Sequence, residues 1–346
     1  MQSADSQDAL RLLSLPRFAS LCARGALVTD VAPVCLNREH TLCACVVTGR
    51  HPRSHGVTHN RAAPRVAGRN LYAQARKESR SVYAIGWPTV TRGEVHRFIP
   101  CATEKPRISS LYHLISLLRH GGAAKAASPD AFALCAARDA VLRHKPGLLL
   151  LGLAGLLRAK QDPGKGVSAI SALEQCDKHI GTLIDSVWAA GTADITDYII
   201  FGGGAGPERD FPVDLNAFLG SLREYGGFHA KAGCSFFKYH TRTENPALHA
   251  KAARVIGGIL ENPDCGRLRL LTEAEMDKSG FAGEYEIGIE PLGTATSGFY
   301  LAAGANVPHG LRLTGGSMLD ICPLALRLSD MKKWAQDGCL RADLLL

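Results

Sequence analysis

The segment DYIIFGGGAGPERD, residues 197–210, joins an apolar run directly to a glycine-rich loop. Such a loop can cradle a phosphate group with its backbone amides, but phosphate loops open directly into a helix, usually through a GK[ST] sequence. Here a proline and a charged run follow, and the next helix is predicted to begin near Asp214. The alternative is that the glycines stand where the side chains of a catalytic site would otherwise be.

Short apolar runs bounded by turn residues predict the strands that position this loop. Their hydrophobicity is nearly continuous, which is typical of strands covered on both faces. The predicted strands are residues 81–87, 147–154, 197–202 and 286–291. Helical patterns lie between them at 70–79, 110–120, 130–144, 214–224, 247–260 and, most clearly, 167–190, with Gly191 as its stop.

Strands that alternate with helices predict an α/β fold with a mostly parallel central sheet and helices on both faces. No repeat of fixed period and no long linker divides the chain. We therefore expect a single domain over residues 1–346. In a sheet of this kind chemistry collects at the carboxyl ends of the strands, so the residues that follow each strand are the candidates for a site.

The formal net charge of +8 favours anionic ligands through long-range attraction. Nucleic acid is not indicated, because aromatic residues make up only 6% of the chain and no recognition helix, finger or sheet-aromatic motif is present. The longest apolar run, residues 147–157, is shorter than the roughly 20 residues that a membrane helix needs. The N-terminus is polar and acidic, unlike a signal peptide. We expect neither a nucleic-acid nor a membrane partner, and the cytoplasm is the favoured compartment.

One motif identifies a family. The segment VVTGRHPRSHGVTHN, residues 46–60, is similar to the V-T-G-x-x-P-x-x-H-G-x-x-x-N segment of type I phosphodiesterase/nucleotide pyrophosphatase proteins in the alkaline phosphatase superfamily. The matching positions are Thr48, Gly49, Pro52, His55, Gly56 and Asn60. Further segments resemble the family in the same order, at 16–34, 70–88, 176–201, 213–219, 267–276 and 308–311.

The resemblance implies an alkaline-phosphatase-like fold and a mechanism with two divalent metal ions, commonly zinc. A Thr or Ser alkoxide attacks phosphorus, and the metals lower the pKa of that hydroxyl and clamp the oxygens of the ester. Asp and His residues at strand ends hold the metals, a ligand set that suits zinc. Small phosphate or phosphonate esters are the ligand class that follows.

The nucleophile segment departs from the family pattern. Counting back from Gly49 places Glu39 where the resemblance expects the nucleophilic Thr. Thr41 lies two residues away and is the candidate nucleophile if the segment has lost two residues. The alternative interpretation of Thr41 is an ordinary residue at the start of a helix.

The metal ligands implied by the resemblance are also largely replaced. The chain begins too late to contain the family's opening strand with its metal Asp, so we expect a domain without its first strand, and Asp5 and Asp8 are poor substitutes. Ala154 and Arg158 take the places of the next ligand pair, with Asp162 as the only carboxylate nearby. The remaining positions fall on Gly203, Gly204 and His309, and His309 matches the family's last metal-binding His.

Two functions remain open at this stage. The first is a hydrolase of phosphate or phosphonate esters, with Thr41 as nucleophile and two zinc ions held in part by Asp162 and His309. The second is a catalytically inactive relative that keeps the fold and binds an anionic ligand or a protein partner. A gene product without a biochemical role is a third interpretation. The substrate and the oligomeric state do not follow from the sequence.

Overall fold

The computed structural model describes residues 4–60, 65–91, 93–100, 110–120, 129–161, 168–204, 213–231, 233–292 and 296–346. Its α-helices are α1 (Ser6–Leu12), α2 (Pro16–Ala23), α3 (Glu39–Thr48), α4 (Pro52–His55), α5 (Leu71–Lys77), α6 (Leu111–His120), α7 (Pro129–His144), α8 (Gly155–Gln161), α9 (Ala169–Ala189), α10 (Pro246–Glu261), α11 (Glu273–Ser279) and α12 (Ile321–Leu328). Its strands are β1 (Gly25–Val31), β2 (Val82–Ile85), β3 (Arg97–Ile99), β4 (Leu148–Leu151), β5 (Tyr198–Gly202), β6 (Gly226–Lys231), β7 (Cys234–Tyr239), β8 (Leu268–Leu270), β9 (Ile287–Pro291), β10 (Gly298–Ala303) and β11 (Leu311–Thr314).

The strands form three hydrogen-bonded sheets. The first has the order β11-β1-β10-β5, in which β1 runs parallel to β11 while β10 is antiparallel to both β1 and β5. The second, β3-β2-β4, is parallel throughout. The third, β6-β7-β9-β8, is antiparallel. The predicted α/β class, with parallel sheet elements and helices, is confirmed, and the antiparallel meander is an addition to it.

Helices cover both faces of the first sheet. Neighbouring residues of β1 point to opposite sides of the sheet, and they pack against different helices. Val28 joins a core cluster that contains Val46 of α3. Leu27 joins a different cluster that contains Phe18 of α2 and Ile180 of α9. The two-sided burial explains why the strands read as continuous apolar runs in the sequence.

The predicted helix at 167–190 is present as α9 in its described part. Ser168 caps it by accepting a hydrogen bond from the amide of Ser171. Gly191 follows it with φ of +66°, a left-handed conformation that ends helices and favours glycine. Each predicted strand is present as well, as β2, β4, β5 and β9.

The predicted helix at 214–224 is wrong in type. The structure has two short 3₁₀ helices, Leu215–Phe218 and Gly220–Glu224. Asp214 does cap the first of them. Gly220, the first residue of the second, has a left-handed φ of +50°, which breaks the helical path between the two. The side-chain amide of Asn216 also bonds the backbone of Phe228, which ties this segment to β6.

No helix in the described ranges is long and apolar enough to cross a membrane.

Candidate active site

The loop after β5 is the place where the resemblance expects an Asp and a His that bind metal. Gly203 has no room for either side chain, because a Cβ atom built on it would lie 2.4 Å from Cδ2 of Leu42. Leu42, in the first turn of α3, is completely buried. The backbone of Gly203 is also held, since its carbonyl oxygen accepts a hydrogen bond of 2.6 Å from the side-chain amide of Asn37. Close packing against α3 therefore requires glycine here.

Gly204 is required for a different reason. Its φ of +59° is left-handed, and a Cβ atom would lie 2.2 Å from Oγ1 of Thr296. Its amide donates a hydrogen bond of 2.7 Å to the carbonyl oxygen of Ala4. The two glycines thus connect the carboxyl end of β5 to α3 on one side and to the segment before α1 on the other.

The first turn of α3 holds the two candidates for the nucleophile position. Thr41 is fully buried, and within the described part of the chain its Oγ1 makes no hydrogen bond. The same is true of Oε1 of Glu39, in this turn, and of Oδ1 of Asn37, just before the helix. Burial raises the pKa of Glu39, opposed by the nearby positive charge of Arg158. A hydroxyl at 0% exposure does not face solvent or a substrate.

At the carboxyl end of β4, where the resemblance expects a pair of metal ligands, a carboxylate binds the backbone. Asp130, on α7, accepts hydrogen bonds of 3.0 Å and 2.8 Å from the amides of Ala154 and Gly155. It therefore caps the start of α8. Arg158 lies one turn further along α8 and is partly exposed. Asp162, the carboxylate singled out from the sequence, lies outside the described residues.

His309 is exposed and does not lie beside Thr41. It lines a cavity of about 300 Å³ together with Arg24, Trp188 and Tyr198. Tyr198 is the first residue of β5. Gly203 comes directly after the last residue of that strand, and Leu42 packs against Gly203. A strand of this length separates its two ends by roughly 13 Å. The structure thus places His309 and Thr41 at opposite ends of β5.

The motif at 46–60 begins in the last turn of α3, continues through α4 and contacts α3 again through His55 and Asn60. His55 is 1% exposed; its Nδ1 accepts the amide hydrogen of Val57, and its Nε2 lies 3.3 Å from Sγ of Cys45. Burial lowers the pKa of His55 to about 4, so the ring is neutral at neutral pH. Asn60 accepts the amide hydrogen of His40 at 2.9 Å. These motif residues stabilise the fold around α3 in the structure.

The described residues do not fit a two-zinc centre. Over the ranges that the structure covers, no three His, Cys, Asp or Glu side chains come together in a way that could hold a metal ion. At the expected ligand positions, Leu42 packs against Gly203, and Asp130 accepts hydrogen bonds from the amides of Ala154 and Gly155. Two divalent ions need several anionic or imidazole ligands each, and this donor set does not supply them.

Comparison with known proteins gives the family. The sequence profile described as type I phosphodiesterase/nucleotide pyrophosphatase matches residues 3–258 of the chain. The chain belongs to this family. The resemblance drawn from the motif at 46–60 is therefore confirmed. A search of curated protein sequences finds no match.

Solved structures of the phosphodiesterase family share its fold. Murine ectonucleotide pyrophosphatase/phosphodiesterase 5 is 13% identical with a TM-score of 0.67, and the match covers 100% of this chain and 98% of that one. An inactive variant of the murine protein in complex with AMP is 12% identical with a TM-score of 0.65, over 98% and 96% of the two chains. The human protein is 13% identical with a TM-score of 0.63, over the same shares. At these identities the likeness shows the alkaline-phosphatase-like fold alone.

Sequence reasoning on this phosphodiesterase-family chain missed three groups at the carboxyl edge of the sheet. Leu42 and Asp130 are two of them, and neither has a sequence signal, because each is a common residue type inside a helix. The third is Lys160, whose Nζ lies 3.4 Å from Oδ2 of Asp5 and 2.5 Å from Oδ2 of Asp8. The sequence carries no signal for this contact, because Lys160 lies far from Asp5 and Asp8 in the chain.

Proposed function

We propose that this chain is a non-hydrolysing member of the type I phosphodiesterase family that does not assemble a two-zinc centre. The observation that carries the proposal is the contact between Gly203 and Leu42. The side chain of Leu42 fills the space in which a metal-binding side chain would begin. An Asp at this position would need the side chain of Leu42 to move, and that side chain is completely buried.

The burial of Thr41 supports the same conclusion. A nucleophilic hydroxyl has to reach phosphorus in line with the leaving group and needs a base or a metal to lower its pKa. Thr41 is completely buried, and its described surroundings offer its Oγ1 no hydrogen-bond partner. A neutral, enclosed hydroxyl of this kind is a poor nucleophile.

We further propose that the chain binds a small phosphate or phosphonate ester without cleaving it. The net charge of +8 favours anionic ligands. Arg158 stands at a position where the family resemblance expects a metal ligand, and its positive charge lowers the pKa of Glu39. A guanidinium group binds phosphate oxygens in a fixed two-pronged geometry, so it can replace part of the attraction that a metal would supply.

Hydrolysis of bis-para-nitrophenyl phosphate with added Zn²⁺ or Mn²⁺ tests the main proposal. We expect the wild type and Thr41→Ala to release nitrophenol at the same background rate. Metal-dependent release by the wild type that disappears in Thr41→Ala would overturn it. That result would favour the competing function, a hydrolase with Thr41 as nucleophile and Asp162 and His309 among its zinc ligands.

Calorimetric titration with AMP tests the ligand proposal, because AMP is the phosphate ester that the solved murine relative binds. We expect measurable binding that weakens at least several-fold in Arg158→Gln and to a smaller extent in Arg158→Lys, which keeps the charge but not the two-pronged geometry. Absence of binding by the folded wild type would remove the ligand proposal and leave a protein partner as the remaining role.

A further inference from the structure

A cavity of about 300 Å³ opens at the end of the first sheet where β5 begins and β10 ends. Three buried apolar side chains line it, Leu21 of α2, Ile184 of α9 and Ala303 of β10. Its volume is at the lower end of the range of pockets that hold small organic ligands. The cavity lies at the other end of β5 from Gly203, so it is separate from the position at which the resemblance expects a metal centre.

Two aromatic side chains line the same cavity. Trp188, in the last turn of α9, is 57% exposed, whereas Trp87 and Trp334 are only 4% and 9% exposed. Tyr198, the first residue of β5, is half-buried. Among the described residues no other aromatic ring packs against Trp188. An indole group that is this open to water offers a flat apolar face on which a planar ring can stack.

Arg24 supplies positive charge to the cavity. It follows the last residue of α2, is exposed, and forms no ion pair in the part of the chain that the structure describes. Its charge reaches the inner wall, because burial raises the pKa of Tyr198 to about 12 and Arg24 lowers it. His309 lies on the same side, since a Cβ atom built on the adjacent Gly310 would lie 3.9 Å from the carbonyl oxygen of Ala23.

The cavity also carries some negative charge, which limits the charge of a ligand. Asp194 lines it and is exposed. The carbonyl ends of α2 and α9 lie nearby and add partial negative charge. A dianion such as a phosphate monoester would be repelled more strongly by these groups than a monoanion. A singly charged carboxylate is therefore the anion that fits this cavity best.

We propose that this cavity binds a small aromatic carboxylate, with the ring stacked on Trp188 and the carboxylate held by Arg24. The ring would cover indole surface that is otherwise exposed to water, and the guanidinium group would bind both carboxylate oxygens in its fixed two-pronged geometry. The inference goes beyond the proposed function, which concerns a phosphate ester at Arg158. It places His309 at the edge of a second ligand site.

Calorimetric titration with naphthoate tests the proposal, and three probes of similar shape serve as comparisons. Naphthamide is neutral, naphthylmethylammonium is cationic, and naphthyl phosphate is dianionic. We expect naphthoate to bind saturably at a single site. Each of the other three probes should bind at least several-fold more weakly, because it lacks the carboxylate charge or carries a charge that the cavity disfavours.

Two substitutions locate the binding site. Trp188→Ala removes the stacking surface and Arg24→Gln removes the positive charge, so each should weaken naphthoate binding at least several-fold. Both side chains are exposed, and we expect both variants to fold. Arg254→Gln is the matched control, because it removes the same charge from an exposed position on α10 that does not line the cavity. It should bind naphthoate like the wild type.

The proposal is overturned if the folded wild type does not bind naphthoate saturably, if naphthamide binds equally well, or if the cationic or the phosphate probe binds more tightly. Equal loss of binding in Arg24→Gln and Arg254→Gln would also overturn it. Its failure is distinguishable from that of the proposed function. Arg158→Gln is expected to weaken AMP binding and to leave naphthoate binding unchanged, and phosphodiester hydrolysis bears on Thr41.

Discussion

Thr41 is the residue on which the question of catalysis turns. It lies in the first turn of α3 next to Leu42, and both side chains are completely buried. Burying a hydroxyl group away from water without a hydrogen-bond partner costs free energy. In this structure Thr41 therefore behaves as a core residue with an uncompensated polar atom.

Replacing Thr41 by Val should stabilise the protein. The two side chains have nearly the same shape, and the change removes a buried hydroxyl that makes no hydrogen bond among the described residues. We expect the free energy of unfolding to rise by about 1 kcal/mol. Urea unfolding measures it, with Thr41→Ser as the control that keeps the hydroxyl. A loss of stability in Thr41→Val would show that Oγ1 has a partner.

His55 should make stability depend on pH. Its pKa is lowered by burial from 6.5 to about 4, so the unfolded chain binds a proton over this interval and the folded protein does not. Stability is therefore lost as the pH falls from 6.5 to about 4, by up to about 3 kcal/mol. The raised pKa of Glu39 acts in the opposite direction, since it favours the folded state at lower pH.

Urea unfolding across this pH interval, compared between the wild type and His55→Asn, isolates the contribution of His55. Asn keeps an acceptor for the amide of Val57 but does not titrate. We expect the variant to be less stable at neutral pH and to lose less stability on acidification. Parallel pH profiles for the two proteins would contradict this origin of the acid sensitivity.

At the scale of elements, the side chain of Leu42 in α3 occupies the space next to Gly203, the residue that follows β5. A Cβ at position 203 would lie 2.4 Å and 2.7 Å from the two terminal carbons of Leu42. Gly203→Ala should therefore destabilise the protein by about 1–3 kcal/mol through overpacking. Leu42→Ala alone should cost about 2–5 kcal/mol, because it leaves a cavity.

A double-mutant cycle tests whether these two effects share one contact. In the Leu42→Ala background, Gly203→Ala should cost clearly less than in the wild type, because its methyl group enters the space that Leu42 leaves. Urea unfolding of the four proteins gives the coupling. Additive costs would mean that Gly203 is required by its backbone alone.

The sequence predicts the elements better than the contacts between them. The runs at 81–87 and 197–202 form β2 and β5, since apolar runs and turn residues are local signals. The family motif correctly indicated the fold. The contacts around the candidate site join residues far apart in the chain, as Lys160 and Asp8 show, which are 152 positions apart. No periodicity or spacing reports such a contact.

At the scale of the whole molecule, internal contacts surround the positions at which the family resemblance expects metal ligands. Leu42 fills the space at Gly203, Asp130 caps α8, and Lys160 compensates Asp5 and Asp8. A cluster of uncompensated carboxylates would destabilise the chain in the absence of metal. We therefore expect the protein to fold without bound ions.

The metal content of the purified protein tests most directly whether this chain builds a two-metal centre. The wild type would be incubated with excess Zn²⁺ and Mn²⁺, desalted, and measured by inductively coupled plasma mass spectrometry. We expect far less than one ion of either metal per chain. About two ions per chain would contradict a non-hydrolysing, metal-free member of the family and would mean that other side chains supply the missing ligands.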